Sequence, residues 1–187
     1  MRPIVSLVFG SAYFSSLVIF NVNTRWQYQY IAPSLWYQHM MLLIFKIDSW
    51  NCALALSAVE KAYRAVAITP LPEAPDIVLG IIDVRGAVLP VVSLRKRFRL
   101  KQKKLQSSDQ LIIVRTHRRR MALLVDSIID VLECGDEEII SADTILHGLD
   151  YVEGVVKTRS GMILVHDLDR FLALEEDIQL DHALGRD

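Results

Sequence analysis

A mostly β fold, a sandwich or barrel rather than a parallel α/β sheet, is what the sequence predicts, and three observations carry the prediction. Short apolar runs rich in β-branched residues recur along the chain. Turn-forming residues separate them at close intervals. No long helical pattern lies between them, so no βαβ unit is expected. The chain has 187 residues, enough for one domain or two small lobes with a real core. It is 52% hydrophobic and 23% charged, a globular balance, and its formal net charge of −1 gives no overall pull toward nucleic acid or anionic membrane. Cys52 and Cys134 lie in apolar, strand-like surroundings without a Cys-x-x-Cys pair, and are read as reduced thiols.

Residues 1–40 differ from the rest. They carry two charges, Arg2 and Arg25, no acid, and nine of the fifteen aromatic residues. The uncharged run 4–20 is at the short end for a membrane helix, and serines and Gly10 dilute it. Three readings stay open: a membrane anchor, a poorly ordered or helical extension, and a stretch upstream of the natural start, since Met40 and Met41 stand just before the first clear strand.

Segment 42–47 is an apolar run broken only by Lys46 and predicts a strand. Turn residues 48–51 follow, and 52–56 return as a second strand. Ser57-Ala58-Val59-Glu60 has capping-box spacing, and local propensity would draw 61–67 into a helix. Pro70, Pro72 and Pro75 enforce a loop. Runs 79–84 and 87–94 flank Arg85-Gly86, a hairpin whose turn uses the positive φ that glycine accepts. Pro90 donates nothing to a ladder, so its strand is expected at an edge or with a bulge.

Segment 94–100 predicts a short basic helix and 102–109 a polar loop. Runs 111–114 and 121–125 form a second hairpin, and 127–132 continue as strand. An acidic turn is expected over 135–141, then a hairpin of 151–157 with 162–166. Asp167 is placed to cap a last helix carrying Leu168, Phe171 and Leu172 on one face. Residues 176–187 lack a sustained apolar pattern and are expected to fray. The halves 42–100 and 111–172 share a plan of hairpins followed by a short helix, which suggests two similar lobes.

The sequence offers no converging reactive set. Its eight glycines are scattered, with no phosphate loop, and His39, His117, His147, His166 and His182 lack metal-ligand spacing. His166-Asp167 reads as a strand end and a cap. Ser127 follows Asp126 without the glycines of a nucleophile elbow. No catalytic residue, cofactor or metal is expected. Two basic runs, 95–104 and 115–120, lack interleaved aromatic residues apart from Phe98. They suggest a solvated face or a rim for an acidic protein partner rather than a nucleic-acid surface. Arg85 stands out: a tight turn presents a permanently charged, multi-donor group beside apolar strands.

Residues 79–94, with Gly80, the pair Arg85-Gly86, Pro90-Val91 and Leu94, resemble the signature stretch of CheW-like chemotaxis coupling proteins. A second match is 122–132, a strand ending in Val125-Asp126. A third, weaker one is 151–155 with 161–165 and the closing helix. The resemblance implies two small five-stranded β-barrel lobes packed side by side, with short helices and a C-terminal helix. It implies a helical turn at 57–59 and a strand after it, against local propensity. The expected organisation is an apolar, aromatic-rich extension (1–40), a CheW-like domain (41–174) and a tail (175–187).

The implied function is a non-catalytic adaptor. It would link the cytoplasmic tips of methyl-accepting chemoreceptors to the regulatory domain of the histidine kinase CheA, in cytoplasmic arrays whose membrane association is indirect, through the receptors. Receptor binding is assigned by the same resemblance to Arg85 first. Gly80, Gly86, Pro90 and Val91 match motif positions that also shape the hairpin; Val125 and Asp126 match the second motif, where packing is the competing reading. Asp83 and Ser93 stand where the family often has Asn and Asp. The alternative is a membrane-anchored binding module of the same fold.

Overall fold

Alternation of burial explains the architecture. In strand β1 (His39–Ile47), Leu43, Phe45 and Ile47 point to one apolar cluster and Leu42 to another. A strand buried on both faces has no polar side, which is why the sequence shows continuous apolar runs. The computed structural model describes residues 39–135, 139–141, 151–158 and 161–185. All of them fall within one compact unit, His39–Asp187. The readings of segment 1–38, including the candidate membrane run, lie outside the described residues, as do 136–138 of the acidic turn. Among the described residues no helix is long and apolar enough to cross a membrane.

After β1 come β2 (Trp50–Ala55), a 3-10 turn (Leu56–Ala58) and β3 (Val59–Arg64). Strand β3 forms where alanine-rich propensity favoured helix, because its ladder with β6 (Gln110–Arg115) outweighs a weak local preference. The chain continues through β4 (Val78–Val84), β5 (Ala87–Ser93), helix α1 (Leu94–Arg97), β6 and β7 (Arg120–Val125). Strands β8 (Ser127–Gly135), β9 (Ile139–Ser141), β10 (Val152–Thr158) and β11 (Gly161–His166) follow. The end is a 3-10 turn (Leu168–Arg170) and helix α2 (Leu174–Ala183).

Two sheets result, ordered β8-β1-β2-β11-β10-β9 and β3-β6-β7-β5-β4. The fold is therefore mostly β with two lobes, one sheet having six strands. Each lobe has a small apolar interior: Leu42, Ala53, Val156, Ile163 and Val165 in one, Ile82, Leu89, Val91, Leu111 and Ile113 in the other. A larger cluster joins them, where Phe45, Cys52 and Leu54 of the first sheet meet Val92, Ile112, Leu123 and Val125 of the second, with Phe171 and Leu180.

Four expectations need correction. The lobes are not the two halves of the sequence: the five-stranded sheet is one stretch, 59–125, inserted between β2 and β8. The partition follows from β1 pairing with both β2 and the distant β8, and from β2 pairing in parallel with β11. The C-terminal residues do not fray through 176–183; they form α2, anchored by the buried Leu180 and by ion pairs rather than by a wide apolar stripe. The helix expected over 168–172 is a single 3-10 turn, capped as expected by Asp167, whose Oδ1 accepts the Asp169 N–H at 2.9 Å. Nor is the acidic turn continuous to Ser141, since 139–141 is a strand pairing with β10.

Pro90 is accommodated in a way the sequence did not reveal. Strand β5 is internal, between β7 and β4, rather than an edge. Ile81, which faces Pro90, exchanges both backbone hydrogen bonds with Thr69 on its other side, at 2.9 and 2.8 Å. Ile81–Pro90 is thus a non-hydrogen-bonded pair, and the absent N–H costs the β4 ladder nothing. The β7 ladder begins only at Val91, and the register shift lies across on β4, between Val78 and Gly80.

Candidate partner-binding surfaces

The β4–β5 hairpin presents Arg85 at its tip. Arg85 and Gly86 have φ of +54° and +83°, so both central residues adopt the left-handed conformation of a type I′ turn. The sequence pointed to positive φ at glycine alone; the right-handed twist of the flanking strands demands it at arginine as well. A left-handed conformation costs a residue with a side chain about 1 kcal/mol. Asp83 Oδ1 offsets part of this by accepting the Gly86 N–H at 2.9 Å. Arg85 is exposed, and its guanidinium has no ion-pair partner among the described residues.

Gly80, Pro90 and Val91 sit in the body of that hairpin. All three are buried, and they shape the hairpin from within. Gly80 has a φ of +144°, and a Cβ there would lie 2.1 Å from the Thr69 carbonyl oxygen. Only glycine lets the loop strand at Thr69 close against β4. Val125 is buried in the cluster joining the sheets.

Asp126 is the residue the structure engages most fully. Its Oδ2 accepts the Asp48 N–H at 2.6 Å and an Arg95 guanidinium N–H at 2.7 Å, while Oδ1 pairs with Lys103 at 2.7 Å. Its own N–H donates to the Lys46 carbonyl at 3.0 Å. Lys46 lies on β1 of the first sheet and Asp48 in the turn after it; Arg95 lies on α1, between β5 and β6 of the second sheet. The carboxylate therefore ties the lobes together. Burial pushes its pKa up, but the bonds from Lys103, the Asp48 amide and Arg95 outweigh that and hold it below the usual aspartate value.

Three of the seven cations in the first basic run are engaged in ion pairs. Arg95 serves Asp126 and Asp48, Lys103 serves Asp126 and Asp109, and Arg97 pairs with Glu176 and the Phe171 carbonyl. The second run is likewise occupied. Arg115 and Arg120 pair with Glu60 at 2.7 and 2.6 Å, and Arg118 and Arg119 converge on Asp177 at 2.8 and 2.6 Å. Neither run is a bare cationic stripe.

An aromatic stack was missed by sequence reasoning. Phe98, Tyr151, His166 and Phe171 come from the C-terminal cap of α1, the β10 approach, β11 and the turn before α2. Their spacing in the sequence carries no periodic signal. His166 is 3% exposed; its Nδ1 lies 3.3 Å from the Tyr151 carbonyl, and its Nε2 has no partner among the described residues. Burial lowers its pKa to about 4, so the ring is neutral and donates through Nδ1. His166 is thus a packed core residue, and Asp167 a turn cap, as the sequence indicated.

Three of the exposed apolar residues lie on strands β1 and β8 of the six-stranded sheet, where Met41, Ile129 and Val131 are 42%, 52% and 39% exposed. Among the described residues no cluster of three metal-ligating side chains occurs.

Comparison with known proteins agrees with this architecture. The family model described as CheW-like domain matches residues 41–176. The chemotaxis protein CheW of Rhizobium meliloti (strain 1021) is 30% identical over 137 residues, covering 72% of this chain and 88% of the relative. That of Treponema pallidum is 23% identical over 145 residues, covering 74% and 85%. The crystal structure of the scaffolding protein TtCheW from Thermoanaerobacter tengcongensis superimposes with a TM-score of 0.69 at 26% identity, covering 74% of this chain and 96% of that one. The anchor of the resemblance, Gly80, Arg85-Gly86 and Pro90-Val91, lies within the matched segment, and this chain belongs to the CheW-like domain family.

Proposed function

We propose that this chain is a non-catalytic adaptor that couples the cytoplasmic tips of chemoreceptors to the regulatory domain of the histidine kinase CheA. It would act in the cytoplasm, in a chemosensory array on the inner face of the membrane. Its family, and relatives named as chemotaxis and scaffolding proteins, support the class. One observation supports the site: a cation held at a strained hairpin tip, with no ion-pair partner among the described residues. Strain kept at an exposed position points to use rather than to stability.

In this reading Arg85 contacts the receptor tip, a helical surface that docks helix-in-groove against apolar residues. Gly86 sets the turn, and Gly80, Pro90 and Val91 hold the hairpin in shape. Val125 and Asp126 act indirectly, by fixing one lobe against the other. The exposed Met41, Ile129 and Val131 supply apolar surface of the kind such a partner needs.

The test is co-sedimentation and titration of a receptor-tip fragment, and separately of the kinase regulatory domain, with wild type and Arg85→Glu. The variant is expected to keep its unfolding midpoint and to lose about tenfold or more in receptor affinity. A folded Arg85→Glu protein that binds like wild type removes Arg85 from the site.

A further inference from the structure

Helix α1 and the loop after it border a cavity of about 660 Å³. Ile77, Phe98, Leu100 and Tyr151 form its apolar and aromatic wall. Phe98 in that wall stacks on Tyr151 at 5.4 Å and on the buried His166 at 4.9 Å between ring centroids. Lys96, Arg97 and Arg99 rim it, facing Asp76 and Glu176. Arg97 is tied to Glu176, and Lys96 donates to the Asp76 carbonyl. Arg99 is different: it has a φ of +54°, is exposed, and forms no ion pair among the described residues. Lys101 and Lys104, next along the loop, have no ion-pair partner either, and Leu105 beside them is 42% exposed.

We propose that this cavity and its rim are a second docking site, for an acidic segment of a protein partner. An apolar or aromatic side chain would enter against Phe98, Leu100 and Tyr151, while flanking carboxylates meet Arg99, Lys101 and Lys104. Charge complementarity selects this occupant. The unpaired cations favour an anionic ligand, yet Asp76 and Glu176 would repel a continuous polyanion such as nucleic acid or an anionic bilayer. Sparse carboxylates around an apolar anchor satisfy both conditions. The site is distinct from the Arg85 tip: they lie at opposite ends of β5, whose seven residues span about 20 Å.

The experiment uses the full chain, isotope-labelled, titrated with a capped nonapeptide bearing a central phenylalanine, two glutamates on each side and alanine elsewhere. Saturable amide shifts are expected at 98–102 and at Tyr151. Affinity should fall about tenfold for the Arg99→Glu/Lys104→Glu variant and several-fold when glutamine replaces glutamate, while Arg85→Glu binds like wild type. Arg99→Gly, which suits the left-handed backbone, keeps the fold and should still weaken binding. The proposal is overturned if no saturable shifts appear, if the glutamine peptide or the charge-reversed variant binds equally, or if Arg85→Glu abolishes binding. It also fails if the chain binds phosphatidylglycerol vesicles but not the peptide.

Discussion

Two hairpin turns of the same five-stranded sheet each carry arginine, and the protein uses them in opposite ways. The β4–β5 turn is two residues long, and its exposed Arg85 has no ion-pair partner among the described residues. The β6–β7 turn is organised by Thr116, whose hydroxyl accepts the Arg118 and Arg119 amides at 3.2 and 3.0 Å and donates to the Arg119 carbonyl. Its Arg119 is 6% exposed, paired with Asp177 at 2.6 Å and Asp181 at 3.0 Å. His117 adds a contact to Asp169. The second turn holds the C-terminal helix on the body of the protein; the first holds nothing within the described chain. An arginine on a turn is thus not a class of residue. Whether it serves folding or recognition depends on which carboxylate the tertiary structure brings to it.

That contrast can be broken most sharply at the docked turn. Arg119→Ala leaves Asp177 buried with only Arg118, and a loss of about 3–5 kcal/mol in urea unfolding is expected. A loss under about 1 kcal/mol would put the anchoring of α2 elsewhere.

The next effect lies in the stack beneath the same C-terminal segment. His166 is neutral in the fold with a pKa of about 4, against an ordinary value of 6.5. Its contribution to stability is complete above pH 6.5 and is lost as pH falls toward 4, because only the unfolded chain takes up the proton there. On the order of 3 kcal/mol should disappear across that window. His166→Phe, which keeps an aromatic ring in the stack, should flatten the window in a stability profile against pH; an unchanged slope would assign the loss to another group.

Asp126 tests the junction between the lobes. Asp126→Asn should cost about 2 kcal/mol at neutral pH. The native carboxylate titrates below its ordinary 3.8, so its contribution is present above that value and is lost as pH falls below it. Variant and wild type should therefore converge only below pH 3.8, clear of the histidine window.

The smallest effect on stability belongs to the free turn. Arg85→Gly relieves the left-handed strain and should raise stability by up to about 1 kcal/mol while still losing receptor binding. A destabilised Arg85→Gly protein would mean that the tip arginine is structural after all.

Particular elements show why some of this was legible in advance. The β4–β5 hairpin was readable because an Arg-Gly turn and its apolar flanks are adjacent in sequence. The β6–β7 and β10–β11 hairpins were readable for the same reason. Strand β3 was readable only through the family resemblance, since the alanine-rich stretch 61–67 that overlaps it favours helix and its partner lies some fifty residues ahead. Helix α2 was not readable: Asp177 and Leu180 are its buried anchors, and a buried aspartate looks like a solvent-facing one until its arginines are located. Asp126 matched a family motif, but the match did not disclose the lobe-to-lobe contact that occupies its carboxylate.

By itself the sequence determined the β class, the local hairpins, the loop at the three prolines, the family and the arginine worth examining, because these rest on short-range pattern and backbone chemistry. Tertiary structure alone decided which strands share a sheet, how the chain of one lobe is threaded through the other, and which charges remain free. The physical reason is that a side chain's sequence neighbours set its conformation, whereas its burial and many of its ion pairs are set by residues dozens of positions away, as with Arg119 and Asp177.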